Sequence, residues 1–321
     1  MGEFDLIDRF FKRPVRRAAL GVGDDCALLN PTPGMQLAIS TDLLLEGRHF
    51  LSTVDPVRLG HKALAVNLSD LAACGATPRA FTLALALPRA DPAWLEPFSR
   101  GLLSLADAHG CELIGGDTTQ GPLNICITVF GEVPVRQGKS QALLRSGAQP
   151  GDDIYVSGNI GDARLALEVF RGTHTVPGAV FAQARQRMEQ PSPRVALGQA
   201  LRGVATAAID VSDGLLGDLG HVLRRSGVGA VVDVDAVPRS AVLAAQTQAW
   251  QRECTLAGGD DYELIFTAPA TSADAVQGAA RRAGVAATRI GRIEAGAALR
   301  LVDGAGHPVA HTFGSFDHFR S

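Results

Sequence analysis

An acidic residue inside an apolar helical pattern constrains this chain more than any other feature of its sequence. Leu64 to Pro78 reads LAVNLSDLAACGATP, and Asp70 is the only charged residue in it. An uncompensated carboxylate in a low-dielectric site is costly, so Asp70 must face water, cap a helix or hold a cation. The second half repeats the pattern as AAIDVSDGLLGDLG, from Ala207 to Gly220. There the comparable places are held by Asp210, Ser212 and Asp213.

Three more acidic residues follow or end short apolar segments that also carry Gly, Ser or Thr: Asp25, Asp42 and Asp117. Taken singly, each carboxylate could simply cap a helix or stabilise a turn. Taken together, they indicate Mg²⁺, a hard cation that proteins hold with one or two carboxylates plus substrate phosphates. Several carboxylates imply more than one ion, and more than one ion implies a polyphosphate.

Groups suited to phosphate accompany these carboxylates. The Gly-Gly pair before Asp117 would let backbone N–H groups approach phosphate oxygens closely. Thr41 and Ser212 could add hydroxyl ligands, and Arg145 could balance a phosphoryl charge. A solvated surface arginine is the alternative interpretation of Arg145.

Composition restricts the partners that this chain can have. Its 321 residues, 46% of them hydrophobic, are enough for two globular domains, each with its own core. The formal net charge of −3 leaves no overall basic field, so neither nucleic acid nor a membrane is expected as a partner. Five cysteines without a C-x-x-C pair indicate reduced thiols, and no apolar run resembles a membrane span or a signal sequence. We therefore expect a soluble, cytoplasmic protein.

Alternating helix and strand patterns predict an α/β protein of two halves. A polar segment with three glycines and one proline, residues 136–152, is the best candidate for a junction. We place the domains at residues 1–137 and 138–321. Strands are predicted at Gln36–Thr41, ending in Asp42, and at Cys111–Ile114, running directly into Gly115, Gly116 and Asp117. A single helix is predicted from Ala241 to Trp250.

Several well-known site motifs are absent. Gly138-Lys139-Ser140 is not a P-loop, because Val133 stands where that motif requires its first glycine. Gly21-x-Gly23 is followed by Cys26 where a dinucleotide fingerprint needs its third glycine. The metal-hydrolase and α/β-hydrolase motifs do not occur either.

A set of short phrases resembles the thiamine-monophosphate kinases, in the same order along the chain. They are GVGDDCALL (Gly21 to Leu29), STD (Ser40 to Asp42), NLSDLAACGATP (Asn67 to Pro78), IGGDTT (Ile114 to Thr119), IDVSDGL (Ile209 to Leu215), GGDDYEL (Gly258 to Leu264) and FDHF (Phe316 to Phe319). The resemblance covers nearly the whole chain. It implies the two-domain α/β fold of aminoimidazole ribonucleotide synthetase, with a homodimer formed through the N-terminal sheet.

The resemblance also implies an activity, the transfer of the ATP γ-phosphoryl group to thiamine monophosphate, giving thiamine diphosphate and ADP, the last step of thiamine diphosphate biosynthesis. The N-terminal domain would bind ATP and Mg²⁺ and dimerise. The implied ligands of several Mg²⁺ ions are Asp25, Ser40, Thr41, Asp42, Asp70, Asp117, Asp210 and Asp213. The implied ATP contacts are Gly116, Asp117, Arg145 and Ser212, and the implied contacts of the thiamine end are His49, Asp260 and an aromatic residue, Phe313 or Phe316.

No catalytic general base is expected for this reaction. The acceptor phosphate has a second pKa near 6, so it is largely anionic at neutral pH. Catalysis then consists of aligning the two phosphates and neutralising their repulsion. His49 therefore fits a substrate contact better than a base, and a capping histidine after the Glu46-Gly47 turn is the alternative.

Two departures from the family pattern affect the thiamine end. Asp260 stands where the family has glutamate, and the C-terminal aromatic that is often tryptophan is apparently Phe313. Both changes keep the chemical type, so they predict altered affinity more than altered chemistry. The alternatives are an ATP-dependent enzyme of the same wider group with another acceptor, and a non-catalytic nucleotide sensor.

Overall fold

Two separate β-sheets organise the chain, and each belongs to its own structural unit. The structure is a computed structural model that describes residues 2–310, 312–314 and 316. One unit comprises residues 1–71 and 76–141, and the other comprises residues 72–75 and 142–321. No helix among the described residues is long and apolar enough to cross a membrane.

The first unit contains a five-stranded sheet with the order β1-β4-β2-β3, and β5 pairs with β4. Only β2 and β3 run parallel, and the other pairs are antiparallel. Its elements are α1 (Glu3–Phe10), β1 (Met35–Leu45), α2 (Pro56–Ala73), β2 (Thr77–Leu87), α3 (Pro92–His109), β3 (Glu112–Gln120), β4 (Asn124–Arg136) and β5 (Lys139–Ser140).

Aspartate-proline pairs start the two long helices of this unit. The Val57 backbone N–H donates to Asp55 Oδ1 at 2.8 Å, and the Ala93 N–H donates to Asp91 Oδ1 at 3.0 Å. Proline at the first helical position loses no hydrogen bond, which reinforces each start. A Cβ on Gly60 would lie 2.0 Å from the Phe98 carbonyl oxygen, so α2 and α3 pack with their backbones in contact.

The second unit contains a seven-stranded sheet with the order β12-β11-β8-β10-β6-β9-β7, in which only β8 and β11 are parallel. Its strands are β6 (Asp152–Ser157), β7 (Ala207–Asp210), β8 (Gly229–Asp233), β9 (Leu264–Pro269), β10 (Ala287–Glu294), β11 (Leu299–Val302) and β12 (Pro308–Val309). Its helices are α4 (Asp162–Phe170), α5 (Gly178–Glu189), α6 (Val195–Ala200), α7 (Leu215–Ser226), α8 (Ala241–Ala244), α9 (Gln248–Ala257) and α10 (Ala273–Ala283).

The α/β prediction is confirmed, but several local expectations are wrong. β1 continues to Leu45, so Asp42 lies inside the strand and not at its end. The strand predicted to end at Ile114 continues as β3 through Gly115, Gly116 and Asp117 to Gln120. The helix predicted from Ala241 to Trp250 is two helices, because the Thr247 hydroxyl accepts the Trp250 N–H at 3.4 Å and starts α9 anew.

The repeated acidic phrase does not adopt the same structure in the two units. Asn67 to Asp70 lies within α2, whereas Asp210 ends β7 and Asp213 lies in the turn before α7. The expectation of comparable places is therefore wrong.

Candidate functional site

The predicted ligands of the first unit concentrate where β1 faces α2. The Ser40 hydroxyl donates to Asp70 Oδ2 at 2.5 Å, which links the middle of the strand to the last turns of the helix. The Asp42 backbone N–H donates to the side-chain oxygen of Asn67 at 3.1 Å. Asn67 is itself oriented by donating to the Ala63 carbonyl at 2.9 Å. Asn67 is thus a site residue that was not predicted, although it begins the NLSD phrase.

The other predicted ligands of the sheet lie farther along it. Asp42 of β1 pairs with Ile127 of β4. Ile127 pairs in turn with Leu83 of β2, and Leu83 pairs with Gly116 of β3. Neighbouring strands are about 4.8 Å apart, so Asp42 and Gly116 are separated by roughly 14 Å of backbone. Asp42 and Asp117 are therefore carried by different strands, with β4 and β2 between them.

Thr41, Asp25 and His49 lie apart from the Ser40–Asp70 pair. Thr41 is exposed, and its hydroxyl is 2.8 Å from the Thr128 hydroxyl on β4. Asp25 is exposed in the segment between residues 20 and 28, whose ends form a short β-bridge. The Leu45 backbone N–H donates to Nδ1 of His49 at 2.9 Å, so this ring is oriented by the turn that follows β1.

In the second unit, a buried aspartate organises the turn that carries Ser212 and Asp213. Asp218 Oδ2 accepts the backbone N–H groups of Ser212, Asp213 and Gly214, each at 3.1 Å. Burial, followed by the charge of Asp213, raises the pKa of Asp218 to about 7, although these three N–H groups act in the opposite direction. Asp218 was not predicted. The only signal for it is an acidic residue in the first turn of α7.

The loop from Gly258 to Glu263 brings Asp260 beside this turn. The Asp260 N–H donates to the Ser212 carbonyl at 2.8 Å, and the Tyr262 N–H donates to the Val211 carbonyl at 2.9 Å. Asp260 and Tyr262 have φ values of 69° and 54°, a left-handed conformation that costs about 1–3 kcal/mol per residue outside glycine. Such strain persists only where the surrounding structure enforces it.

The structure distinguishes the two C-terminal aromatic candidates. The Phe316 N–H donates to the Asp213 carbonyl at 3.0 Å, and its side chain is 42% exposed. Phe313 instead packs against the hydrophobic core of the second unit. Of the two candidates, Phe316 is therefore the one whose backbone bonds to the turn that carries Asp213. The rest of the terminal phrase, Asp317 to Phe319, lies outside the described residues.

His221 lies within electrostatic reach of both Asp213 and several arginines. Burial and the guanidinium groups of Arg224 and Arg145 lower the pKa of His221, while Asp213 acts in the opposite direction. The Ser226 hydroxyl, which accepts the Gly147 and Ala148 N–H groups at 3.2 Å, fixes the backbone that follows Arg145. Positive charge is thus available beside this turn, which suits the binding of an anion.

The predicted site residues thus come together in small sets. Among residues 2–310, 312–314 and 316, no three His, Cys, Asp or Glu side chains are grouped closely enough to hold a metal ion by themselves. Asp210 is buried at the end of β7, two residues before Ser212.

Comparisons with known proteins agree with this description. Residues 23–133 match the N-terminal domain model of the AIR synthase related proteins, and residues 149–304 match the C-terminal one. A thiamine-monophosphate kinase of Salmonella typhimurium is 48% identical, over 99% of this chain and 98% of its own length.

Solved structures of the same kind are also similar. The thiamine-monophosphate kinase of Stenotrophomonas maltophilia K279a has a TM-score of 0.84 at 45% identity, covering 95% of this chain and 96% of that one. AaThiL complexed with AMPPCP and TMP has a TM-score of 0.76 at 29% identity, covering 90% and 89% of the two chains. The chain belongs to the thiamine-monophosphate kinase family, within the AIR synthase related proteins.

Proposed function

We propose that the protein transfers the γ-phosphoryl group of ATP to thiamine monophosphate, giving thiamine diphosphate and ADP. The observation that carries this proposal is the 48% identity to a thiamine-monophosphate kinase over nearly the entire chain. A similar chain, AaThiL, has been solved with AMPPCP and TMP, a combination that corresponds to the two substrates. The predicted ATP and metal residues are all present in the sequence. A non-catalytic nucleotide sensor could lose its metal carboxylates without penalty, so their presence favours the kinase.

The residues of this chain would act by positioning and by charge neutralisation. The acceptor phosphate supplies its own anionic oxygen, since its second pKa is near 6. Arg145 would neutralise phosphoryl charge, while the Ser212 hydroxyl and the Gly116 backbone would contact the nucleotide phosphates. In-line alignment of the donor and acceptor phosphates then supplies much of the rate enhancement.

Mg²⁺ ions would be held by Asp25, Ser40, Thr41, Asp42, Asp70, Asp117, Asp210 and Asp213. The donor set fits this cation, because it consists of carboxylate and hydroxyl oxygens. The distance between Ser40 Oγ and Asp70 Oδ2 is 2.5 Å. This is close to the spacing of adjacent ligands around an octahedral Mg²⁺, which is roughly 2.9 Å. When bound, these ions would neutralise the charge of the phosphates.

The thiamine end would be recognised by His49, Asp260 and Phe316. Asp260 and Phe316 are both tied to the turn around Asp213, and a carboxylate and an aromatic ring suit a cationic heterocycle. Phe313 is the weaker candidate because it packs against the core. The shorter Asp260, in place of glutamate, is expected to change affinity and not the reaction.

We also propose a homodimer that uses the outer face of the first unit's sheet. Leu37, Ile39, Leu43 and Leu45 alternate along β1, and their side chains are 38–59% exposed. An apolar strip of this kind on a sheet face is typical of a protein interface. All five cysteines are free thiols, which fits a reducing cytoplasm, the compartment that supplies ATP.

The test is ADP release by the purified protein with Mg-ATP and thiamine monophosphate, compared with unphosphorylated thiamine and with no acceptor. We expect ADP release that requires the monophosphate and yields an equal amount of thiamine diphosphate. ATP binding without ADP release for this acceptor would refute the proposed substrate and direct the search to other acceptors.

A further inference from the structure

The loop that carries Asp260 alternates between outward and buried side chains. Asp260 and Tyr262 are partly exposed and have the left-handed backbone conformation, whereas Asp261 and Glu263 are buried. A Cβ on Gly259 would lie 2.2 Å from the Ser212 carbonyl oxygen, so this part of the loop is pressed against the turn. Something in the structure must hold the two strained residues in place.

Glu263 is the most strongly held residue of this loop. Its side chain is 0% exposed. Arg194 donates to both carboxylate oxygens, from Nε to Oε2 at 2.6 Å and from Nη2 to Oε1. Arg187 Nη2 donates to Oε1 at 3.0 Å, and the Ser157 hydroxyl donates to Oε2 at 2.5 Å. Ser157 also accepts the Leu264 N–H at 2.9 Å, which connects the cluster to the start of β9.

Asp261 holds the loop from a second direction. Its Oδ2 accepts the Gly161 N–H at 2.8 Å, just before α4. The outward residues Asp260 and Tyr262 are therefore each flanked by an anchored residue. Since Asp260 is bonded directly to Asp261 and lies three residues before Glu263, anchoring these two residues restrains the backbone that carries Asp260.

Net stability alone is a weak explanation for such a cluster. Replacing a buried ion pair with apolar residues is often neutral or stabilising, because desolvation offsets the attraction. What bidentate Arg–carboxylate contacts provide is a defined geometry. Here the clamped carboxylate lies three residues after Asp260 in the same loop.

We propose that Glu263, clamped by Arg187 and Arg194, is a positioning residue that sets the affinity for the acceptor substrate through Asp260. The inference rests on the proposed function, in which Asp260 contacts thiamine monophosphate. Glu263 is buried and acts only through the loop backbone.

The test is a kinetic double-mutant cycle with E263Q and D260A in the full-length protein. E263Q keeps the side-chain shape but removes the charge and places an amide N–H against the arginines. We expect E263Q to raise the KM for thiamine monophosphate at least tenfold and to leave the KM for ATP within twofold. Added to D260A, E263Q should change the KM for thiamine monophosphate less than twofold further, because its effect passes through Asp260.

E132Q is the matched control. Glu132 is also buried, with Arg79 Nε at 2.7 Å and the Thr32 N–H at 2.7 Å, but it lies in the other unit. It should leave both KM values within twofold. If E263Q fails to fold, R187Q replaces it, since Arg194 still clamps Glu263, and we expect a rise of about threefold in the same KM.

Provided that the wild-type protein turns over thiamine monophosphate, three results would overturn the inference. These are an unchanged KM for thiamine monophosphate in E263Q, equal rises in the KM values for both substrates, and an E263Q effect that multiplies fully with that of D260A. Absence of turnover by the wild-type protein would instead refute the proposed function.

Discussion

Replacing Asp218 with asparagine should abolish the pH dependence that this residue gives to stability. All three N–H bonds from Ser212, Asp213 and Gly214 go to one oxygen, Oδ2, so an asparagine side-chain oxygen can take the same place. D218N therefore removes the charge and keeps the acceptor. D218A removes the acceptor as well, and three unmet N–H groups at about 1 kcal/mol each would cost roughly 3 kcal/mol at any pH.

The magnitude for D218N follows from the pKa of Asp218, which burial and the charge of Asp213 raise from 3.8 to about 7. A raised pKa means that the folded protein holds this proton more tightly than the unfolded chain does. The contribution of Asp218 to stability is therefore lost as the pH rises from about 4 to about 7, at about 1.4 kcal/mol per pH unit. Between pH 5 and pH 7, where Asp218 becomes half ionised, wild type should lose roughly 2 kcal/mol relative to D218N.

Urea unfolding followed by circular dichroism at pH 5, 6, 7 and 8 measures this difference. EDTA is included so that no cation offsets the charge of Asp213. D274N is the control, because Asp274 is an exposed acidic residue in the first turn of α10. Its curve should run parallel to wild type. Parallel curves for D218N and wild type would refute the argument that Asp218 is held partly protonated.

Three further predictions concern other parts of the molecule. D70N should lower kcat at least a hundredfold and shift Tm by only a few degrees, and full activity at saturating Mg²⁺ would exclude Asp70 as a ligand. I39K, at a side chain that is 59% exposed, should convert a dimer to a monomer in analytical ultracentrifugation, and an unchanged mass would exclude this face. Cys26 is exposed, whereas burial raises the pKa of Cys254 to about 12 and that of Cys111 further. Iodoacetamide at pH 8 should therefore modify Cys26 well before Cys111 and Cys254, as followed by mass spectrometry.

Local signals in the sequence predicted those elements whose ends are set by neighbouring residues. Asp55-Pro56 and Asp91-Pro92 are such signals for the starts of α2 and α3, because capping depends on residues two or three positions away. The extension of β1 through Asp42 was not predictable in this way. It depends on pairing with β4, more than eighty residues later, which no local pattern contains.

The site was predictable in its residue types and less so in its geometry. The resemblance identified Asp260 and two C-terminal aromatic residues, but only the Phe316 contact with Asp213 separates those two. Asp218 and Glu263 were missed because an isolated acidic residue does not reveal its partners. The partners of Glu263 are Ser157, Arg187 and Arg194, which lie 69 to 106 residues away.

The two acidic phrases show how different backbones can present the same chemistry. In the first unit, apolar residues after Asp70 allow α2 to continue to Ala73, and the carboxylate projects from a helix toward Ser40. In the second, Gly214 follows Asp213 with a φ of 124°, which is unfavourable for residues with a Cβ, so the chain turns before α7. A turn cannot use helical hydrogen bonds for its N–H groups, and Asp218 supplies the acceptor instead. Asp70 therefore needs no such support, whereas we expect the position of Asp213 to depend on a buried residue five positions away.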